Sequence, residues 1–539
     1  MKKDTWYLNA VFYQIYPQTF CDSDGDGIGD LNGIISKLDY LKELGVDALW
    51  LNPIFESPML DAGYDVTNYY KIHKRYGTLA DFKRLLKEAH RRGMKITLDL
   101  ALNHTSIFHP WFQESRKFKK NKYSNWYVWN ENEWFPKLPG KWLTNHHGRH
   151  ESAFSTFHQE QVDLNFGLAI LAPNCGNTPK DPGVKALWEE MRNVIRYWLD
   201  MGVDGFRCDV PDAVGVKAFT NQPELSAAFW QYIRKAVDEY GDRMMVAEHW
   251  DDDSHAINDL NFHLQFTKNF CLLSTHKDTL FSENRQYICG GKVHDPVGFE
   301  ERITQQNGSV RRKNAAIAMQ TSNHDLPRPS TGSEGDDDLT VLALAVSLTH
   351  NTVPFIYYGD ELGMKVNPEA PSVEGAAFKA QYRTPMQWSS GKNAGFSTAP
   401  KNKIYLPLNP DCKQRNVEKQ LKDPGSVLNE VKRLLALRKS HPAFAVTAEK
   451  ITVLAEKGNP VYAYVRKASG KVALMVVNPA EQAKTVKLDL SAAIAERKKP
   501  YRAVPLLSRE GKVFSALDLS GRSLELTLPA RSYVIMKLR

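Results

Sequence analysis

Little in the chain points to metal–sulfur, membrane or nucleic-acid chemistry. Six cysteines are scattered through 539 residues without a C-x-x-C pair, which excludes zinc-ribbon and dithiol redox motifs. Cys208 lies in a predicted strand, a poor place for a disulfide, so reduced thiols of a cytoplasmic protein are expected. No apolar run is long enough to cross a bilayer, and the start, Met1-Lys2-Lys3-Asp4-Thr5-Trp6, lacks the apolar core of a signal peptide. Basic charge is present but not concentrated. The net charge is +8, yet the densest run, Arg116-Lys117-Phe118-Lys119-Lys120, is short. A solvated basic face therefore fits better than a nucleic-acid surface. Internal repeats and low-complexity segments are also missing. A 42% hydrophobic share over this length implies two or three domains with a sizeable core.

One recurring unit organises the first 360 or so residues: an amphipathic helix, a closing Gly, then a short apolar strand. Ile34, Ile35, Leu38, Leu41 and Leu44 keep helical spacing, Gly45 follows, and 46–51 reads as a strand. Thr78 opens a helix through Phe82, Leu85, Leu86 and Ala89, which ends at Gly93 before strand 95–100. The unit returns at Gly202 before 203–210 and at Gly241 before 244–248. Glycine suits the left-handed position that closes a helix, and near-continuous apolar strands suit burial on both faces. With 11–16, 262–266, 315–321 and 353–358 there are eight strands. The expected fold is α/β, a (β/α)8 TIM barrel.

Two segments break the rhythm. Residues 105–166 are rich in Trp, Asn and His without helical periodicity, and read as an excursion inserted after the third strand. After a last helix near 426–439 the pattern turns to period two, as in Val472-Ala473-Leu474-Met475-Val476-Val477. The tail is thus expected to be an antiparallel β-sandwich domain. The resulting division is 1–104 and 167–445 for the barrel, 105–166 for the insert and 446–539 for the β domain.

In such a barrel chemistry sits at the C-terminal ends of the strands. Those ends carry Asp99 with Asn103-His104, Arg207-Cys208-Asp209, Glu248-His249 and Asn323-His324-Asp325. Arg207 and Asp209 are two apart and share a strand face, so the guanidinium can hold Asp209 ionised. One such Asp alone is most simply a structural ion pair. Four polar strand ends at one mouth would be costly to bury without a function. Glycoside hydrolysis needs this kind of set, one carboxylate ionised and another protonated across the scissile bond.

Asp99-Leu-Ala-Leu-Asn-His104, Gly205-Phe-Arg-Cys-Asp209, Val246-Ala-Glu248 and Ser322-Asn-His-Asp325 resemble, in order, the four signature segments of the α-amylase family, glycoside hydrolase family 13. Gln161-Val-Asp-Leu-Asn165 resembles its fifth segment, with Val162 where Pro is usual. The resemblance implies Asp209 as nucleophile, Glu248 as general acid/base and Asp325 as transition-state stabiliser. It further implies that Tyr64 stacks on the sugar, that His104 and His324 hydrogen-bond it, and that Arg207 orients Asp209. Asp61 and Arg383 are similar to residues that meet at the pocket floor of the exo-acting glucosidase branch and grip the non-reducing glucose.

Asp22-Ser-Asp24-Gly-Asp26-Gly-Ile28-Gly-Asp30 places acids at alternate positions with Gly at the bend, a supply of the hard oxygens that Ca²⁺ prefers. Mg²⁺ or a solvated acidic turn are the other readings. The loop resembles one in the oligo-1,6-glucosidase and α-glucosidase branch. That likeness implies a structural Ca²⁺ held by Asp22, Asp24, Asp26, Asp30 and the Ile28 carbonyl.

The leading expectation is an α-glucosidase releasing glucose from short oligosaccharides linked α-1,4, α-1,6 or both. An endo-acting α-amylase and a trehalose-synthase-like isomerase are the enzymatic rivals. The non-enzymatic rival is a catalytically silent binding module, like the amino-acid-transporter heavy chains of this fold. Neither nucleic acid nor membrane is expected as a partner, and the chain is expected to be a monomer or a weak homo-oligomer. Val210, after the implied nucleophile, resembles the residue that accompanies α-1,6 cleavage in the branch; packing under the barrel rim is its plain alternative. Pro211-Asp212-Ala213 and the stretches 134–155 and 167–183 depart from the branch.

Overall fold

The computed structural model describes residues 5–130, 141–143, 148–167, 180–214, 223–250, 253–267, 296–375 and 377–539. Eight parallel strands close a barrel: β1 Phe12–Ile15, β2 Ala48–Leu51, β3 Lys95–Leu100, β4 Gly205–Cys208, β5 Met244–Ala247, β6 Leu264–Phe266, β7 Ala316–Gln320 and β8 Val353–Tyr357. Each pairs with the next, and β8 returns to β1 through Phe12–Phe355. The (β/α)8 expectation holds, with strand positions within two or three residues of those read from the sequence.

Alternation along each strand sorts two cores. Phe12, Ala48, Trp50, Met244, Val246, Leu264, Phe266, Ala318 and Phe355 fill the barrel interior, where Phe12 stacks on Phe355 with ring centroids 4.2 Å apart. Leu49, Leu51, Leu98, Phe206, Met245 and Ile317 point outward into the helix layer. Cys208 is among these outward residues, buried with a free thiol. Burying one large apolar side chain contributes about 1.5–3 kcal/mol, so this alternation fixes which strand residues can face the pocket.

The helix read across Ile34–Leu44 is two helices, Leu31–Ser36 and Leu38–Leu44, broken at Lys37 with φ −109° and ψ 4°. The apolar spacing survives the break, which is why periodicity alone did not reveal it. Gly45 closes the second helix at φ 106°, and Thr78 opens helix Leu79–Arg91 with a reciprocal cap to Asp81.

After β3 the chain leaves the barrel. His104–Ser106 pairs antiparallel with Gln161–Asp163, and Ser152–Ser155 pairs with Trp129–Asn130 and Lys141–Leu143. Parts of the 134–155 stretch and most of 167–183 lie outside the described residues. At the C-terminal end, a six-stranded antiparallel sheet packs against a two-stranded antiparallel sheet of Lys484–Asp489 and Ser523–Leu528. Here period two divides the labour: Leu474 and Val476 face the two-stranded sheet, whereas Ala473, Met475 and Val477 face the barrel. Among the described residues no helix is long and apolar enough to cross a membrane.

Candidate active site

The polar strand ends converge on one guanidinium. Arg207, fully buried on β4, reaches Asp99 Oδ1 at 2.7 Å and Asp209 Oδ1 at 2.6 Å through Nη1, and Glu248 Oε2 at 2.7 Å through Nη2. Asp99 and Arg207 are register neighbours on β3 and β4, so their contact follows from strand pairing. Three carboxyls on one cation in a water-poor site cannot all ionise at low cost. Burial pushes the Glu248 carboxyl up to about 8 against the pull of Arg207, helped by the neighbouring Asp209 and Asp325. Burial also raises Asp209, with Arg207 as the opposing force. Glu248 is therefore the group that holds a proton near neutrality. Its Oε2 also accepts the Val210 N–H at 3.1 Å.

Asp325 lies in a different field. Burial works to raise it, but His324, Lys379 and Arg383 hold it far below the usual carboxylate range. Arg383 Nη2 is 2.8 Å and Lys379 Nζ 3.1 Å from Asp325 Oδ1, and Arg383 Nε donates to the His324 carbonyl at 2.8 Å.

Tyr64 is seated by a polar frame. Its hydroxyl is 2.9 Å from Asp99 Oδ2 and 2.7 Å from His324 Nε2, and its ring stacks on His324 at 5.6 Å. Gln14 takes the other His324 nitrogen at 2.9 Å. Both His324 nitrogens are thus engaged within the protein, so His324 sets the position of Tyr64. His104 differs: burial lowers its pKa to about 4, keeping the ring neutral, and its Nε2 is a buried atom without a hydrogen-bond partner among the described residues.

These residues wall a pocket of about 130 Å³ lined by Asp61, Tyr64, His104, Phe157, His158, Gln161, Asp209, Val210, Glu248, Asp325, Lys379 and Arg383. Asp61 and Arg383 both line it, but each turns to its own partner: Asp61 Oδ2 accepts from Gln161 Nε2 at 2.7 Å, while Arg383 holds Asp325. Sequence reasoning missed Phe157, His158, Gln161 and Lys379 as wall residues. Gln161 stood in the fifth segment and was a readable signal. Phe157 and His158 sit in the insert, and Lys379 in a short turn, with no periodicity to mark them. A larger cavity, about 500 Å³, lies at the other end of the barrel under Trp6, Lys95 and Arg438, away from every strand-end carboxylate.

In the loop after β1, Asp22, Asp24 and Asp30 each bring a carboxylate oxygen within 4.8 Å of the others. Asp22 takes the Gly25 and Gly27 N–H groups at 2.7 and 2.9 Å and the Ser397 hydroxyl. Asp30 takes the Gly33 N–H at 2.7 Å. Gly27 is required by close approach, since a Cβ there would lie 2.0 Å from the Lys403 carbonyl. Asp26 turns its carboxylate to the Ile28 N–H at 2.7 Å and stands outside the close trio.

A parallel barrel with carboxylates, an arginine and a stacked tyrosine around a sugar-sized pocket defines an enzyme of the TIM-barrel glycosidase class. The catalytic-domain model of α-amylase matches residues 14–447. The chain belongs to the α-amylase family, glycoside hydrolase family 13, and is a glycoside hydrolase. It is 32% identical to an oligo-1,6-glucosidase of Parageobacillus thermoglucosidasius, over 90% of this chain and 92% of that protein. It is 33% identical to the trehalose synthase/amylase TreS of Mycolicibacterium smegmatis, over 86% of this chain and 81% of that one. The solved trehalulose synthase MutB from Pseudomonas mesoacidophila MX-45 superposes with a TM-score of 0.81 at 27% identity, covering 99% of each chain.

Proposed function

We propose that this enzyme is an exo-acting, retaining α-glucosidase that takes glucose from the non-reducing end of short α-gluco-oligosaccharides. The observation that carries the reading is the shape and wall of the pocket. Among the described residues, Asp61, His158 and Gln161 on one side and Lys379 and Arg383 on the other wall a pocket of about 130 Å³, room for one sugar ring beside Asp209 and Glu248. Likeness to an oligo-1,6-glucosidase supports the same reading.

In the proposed reaction Asp209 attacks the anomeric carbon while Glu248 protonates the departing oxygen, giving a covalent glycosyl-enzyme. Water, deprotonated by Glu248, then releases glucose with its configuration retained. Two carboxyls held by one guanidinium suit this close pairing, about 5–5.5 Å in retaining enzymes. Asp325, ionised between Arg383 and Lys379, binds sugar hydroxyls, and the unpaired His104 Nε2 offers another contact. Tyr64 supplies a stacking face, held by His324.

Val210 beside the nucleophile favours α-1,6 links, whose extra rotatable bond lets the second sugar swing clear of a β-branched wall. The expected bias is modest, about 1–3 kcal/mol. A product profile on isomaltose, maltose, trehalose, sucrose, maltoheptaose and starch tests the whole reading. Glucose should appear at once from isomaltose with the highest kcat/KM. Internal cuts in maltoheptaose would defeat the exo reading. Disaccharide interconversion without net hydrolysis would place the enzyme with the TreS-like and trehalulose-synthase-like relatives.

We further propose that the Asp22, Asp24 and Asp30 trio, with Asp26 and the Ile28 carbonyl at its margin, holds a structural Ca²⁺. Two ligands across an ion at about 2.4 Å lie about 4.8 Å apart, which the spacing of the trio accommodates. A bound ion would relieve the repulsion of three acids and pin the β1 loop to the segment around Ser397. Chelation should lower Tm by a few degrees, since an ion bound only to the native state stabilises by mass action. Turnover at 25 °C should persist. Calorimetry before and after verified metal removal checks this, and an unchanged Tm would sink the metal reading.

A further inference from the structure

His249 follows Glu248 directly after β5. The ring is 2% exposed. Its Nδ1 is hydrogen-bonded to Asp212 Oδ2 and its Nε2 lies 3.0 Å from Asp253 Oδ1. Asp212 belongs to the loop after β4 and Asp253 to the loop after β5, so one imidazole bridges both. A carboxylate only accepts, and therefore both ring nitrogens must donate, which makes the ring an imidazolium. Burial opposes that charge, but the two carboxylates prevail and push His249 up to about 9. Among the described residues the other titratable groups around it are Glu248, His255, whose Nε2 is 3.6 Å from Asp212 Oδ1, and Asp259, 2.7 Å from His255 Nδ1.

Two residues before Asp212, Val210 has φ 33°, a left-handed conformation that is an outlier for a β-branched residue. In that conformation its N–H reaches Glu248 Oε2 at 3.1 Å. Arg207 meets the same oxygen at 2.7 Å, which leaves Oε1 to carry the proton. Among the described residues, these ties hold the strained turn. The Ala213 N–H closes on the Val210 carbonyl at 2.9 Å. Trp230 Nε1 donates to the Pro211 carbonyl at 2.9 Å. The third, Asp212 to His249, runs to the residue that follows Glu248.

We propose that His249 is a positioning residue: by locking Asp212 to the end of β5 it keeps Val210 strained, so that the Val210 N–H fixes Glu248 Oε2 and leaves Oε1 to exchange the proton with the glycosidic oxygen. The inference rests on the reading of Glu248 as acid/base. It also gives a role to Pro211-Asp212-Ala213, the segment that departs from the glucosidase branch.

The test is steady-state kinetics of His249→Ala, with Asp212→Asn and Asp253→Asn as companions should His249→Ala fold poorly. On a disaccharide, kcat should fall by about 10–100-fold, the scale of a mispositioned proton donor, with KM within about threefold. On an activated aryl α-glucoside the loss in kcat/KM, which reports formation of the glycosyl-enzyme alone, should stay below about threefold. The alkaline limb of the pH–rate profile should move up by about half to one unit, because losing an N–H donor and a nearby cation both favour protonated Glu248. His249→Arg, which keeps the charge and two donors, should recover part of the rate. Glycine enters positive φ freely, so in a Val210→Gly background the His249→Ala effect should shrink. Equal losses on both substrates with an unmoved alkaline limb, whatever happens to Tm, would overturn the proposal, as would full additivity with Val210→Gly. If Glu248→Gln itself shows no dependence on leaving group, the underlying reading fails and takes this proposal with it. If Glu248→Gln behaves as an acid/base variant and His249→Ala does not follow, the proposal alone falls.

Discussion

Asp209→Ala should reduce kcat on isomaltose by roughly 10⁴–10⁶-fold, the scale seen when a covalent nucleophile is lost. The variant should still fold, because Arg207 keeps Asp99 at 2.7 Å and Glu248 at 2.7 Å and is not left as an unpaired buried cation. Loss of the Asp209 charge also removes one of the influences that raise Glu248, so the alkaline limb of residual activity should move to lower pH. The void left by the carboxylate admits a small anion. Azide should therefore partly restore cleavage of an activated glucoside and give a glucosyl azide of inverted configuration, since one displacement replaces two. Product stereochemistry by NMR distinguishes this from trace contamination. Near-normal activity, or rescue with retained configuration, would remove Asp209 from the nucleophile's place.

How far the sequence carried depended on the physics at each position. The barrel strands were legible because burial on both faces leaves short apolar runs, as at Ala48–Leu51 and Val353–Tyr357, and glycines punctuate them. Arg207 beside Asp209 was legible because a two-residue step on a strand preserves the face. Asp99 joining the same guanidinium needed the register of β3 against β4, which no single segment contains. Lys379 was invisible: it sits in the turn Ala377–Tyr382, and its approach to Asp325 depends on how that turn folds over the mouth. The same holds for His158, delivered by an irregular part of the insert. His324 shows the converse. The resemblance implies that it touches the sugar, while its contacts to Gln14 and Tyr64 are set by β1 and by the loop after β2. His249 looked like a companion of Glu248 in sequence, whereas its ring is engaged by Asp212 and Asp253.

Glu248→Gln should divide substrates by their leaving groups. The carboxyl is pushed up to about 8, so near pH 7 it is mostly protonated and ready to donate. As pH rises through about 8 that proton is lost, and wild-type turnover of a natural disaccharide should fall with it. A glutamine cannot transfer a proton, so the variant should lose about 10²–10⁴-fold on isomaltose, and this alkaline limb should vanish. An aryl glucoside with a strongly acidic phenol leaves without help, so formation of the glycosyl-enzyme should be nearly unaffected. The second step still lacks its base and water attack should become limiting, seen as a burst of phenol followed by a slow steady state. Azide needs no base and should accelerate that second step. Because it attacks an intermediate already inverted once, the azide product should retain the substrate's configuration, opposite to the product from Asp209→Ala. The contrast assigns the two carboxylates without recourse to rates alone, since nucleophile loss and acid/base loss send the same anion to opposite faces of the sugar. Equal losses on both substrates, with no burst and no response to azide, would reduce Glu248 to a binding group.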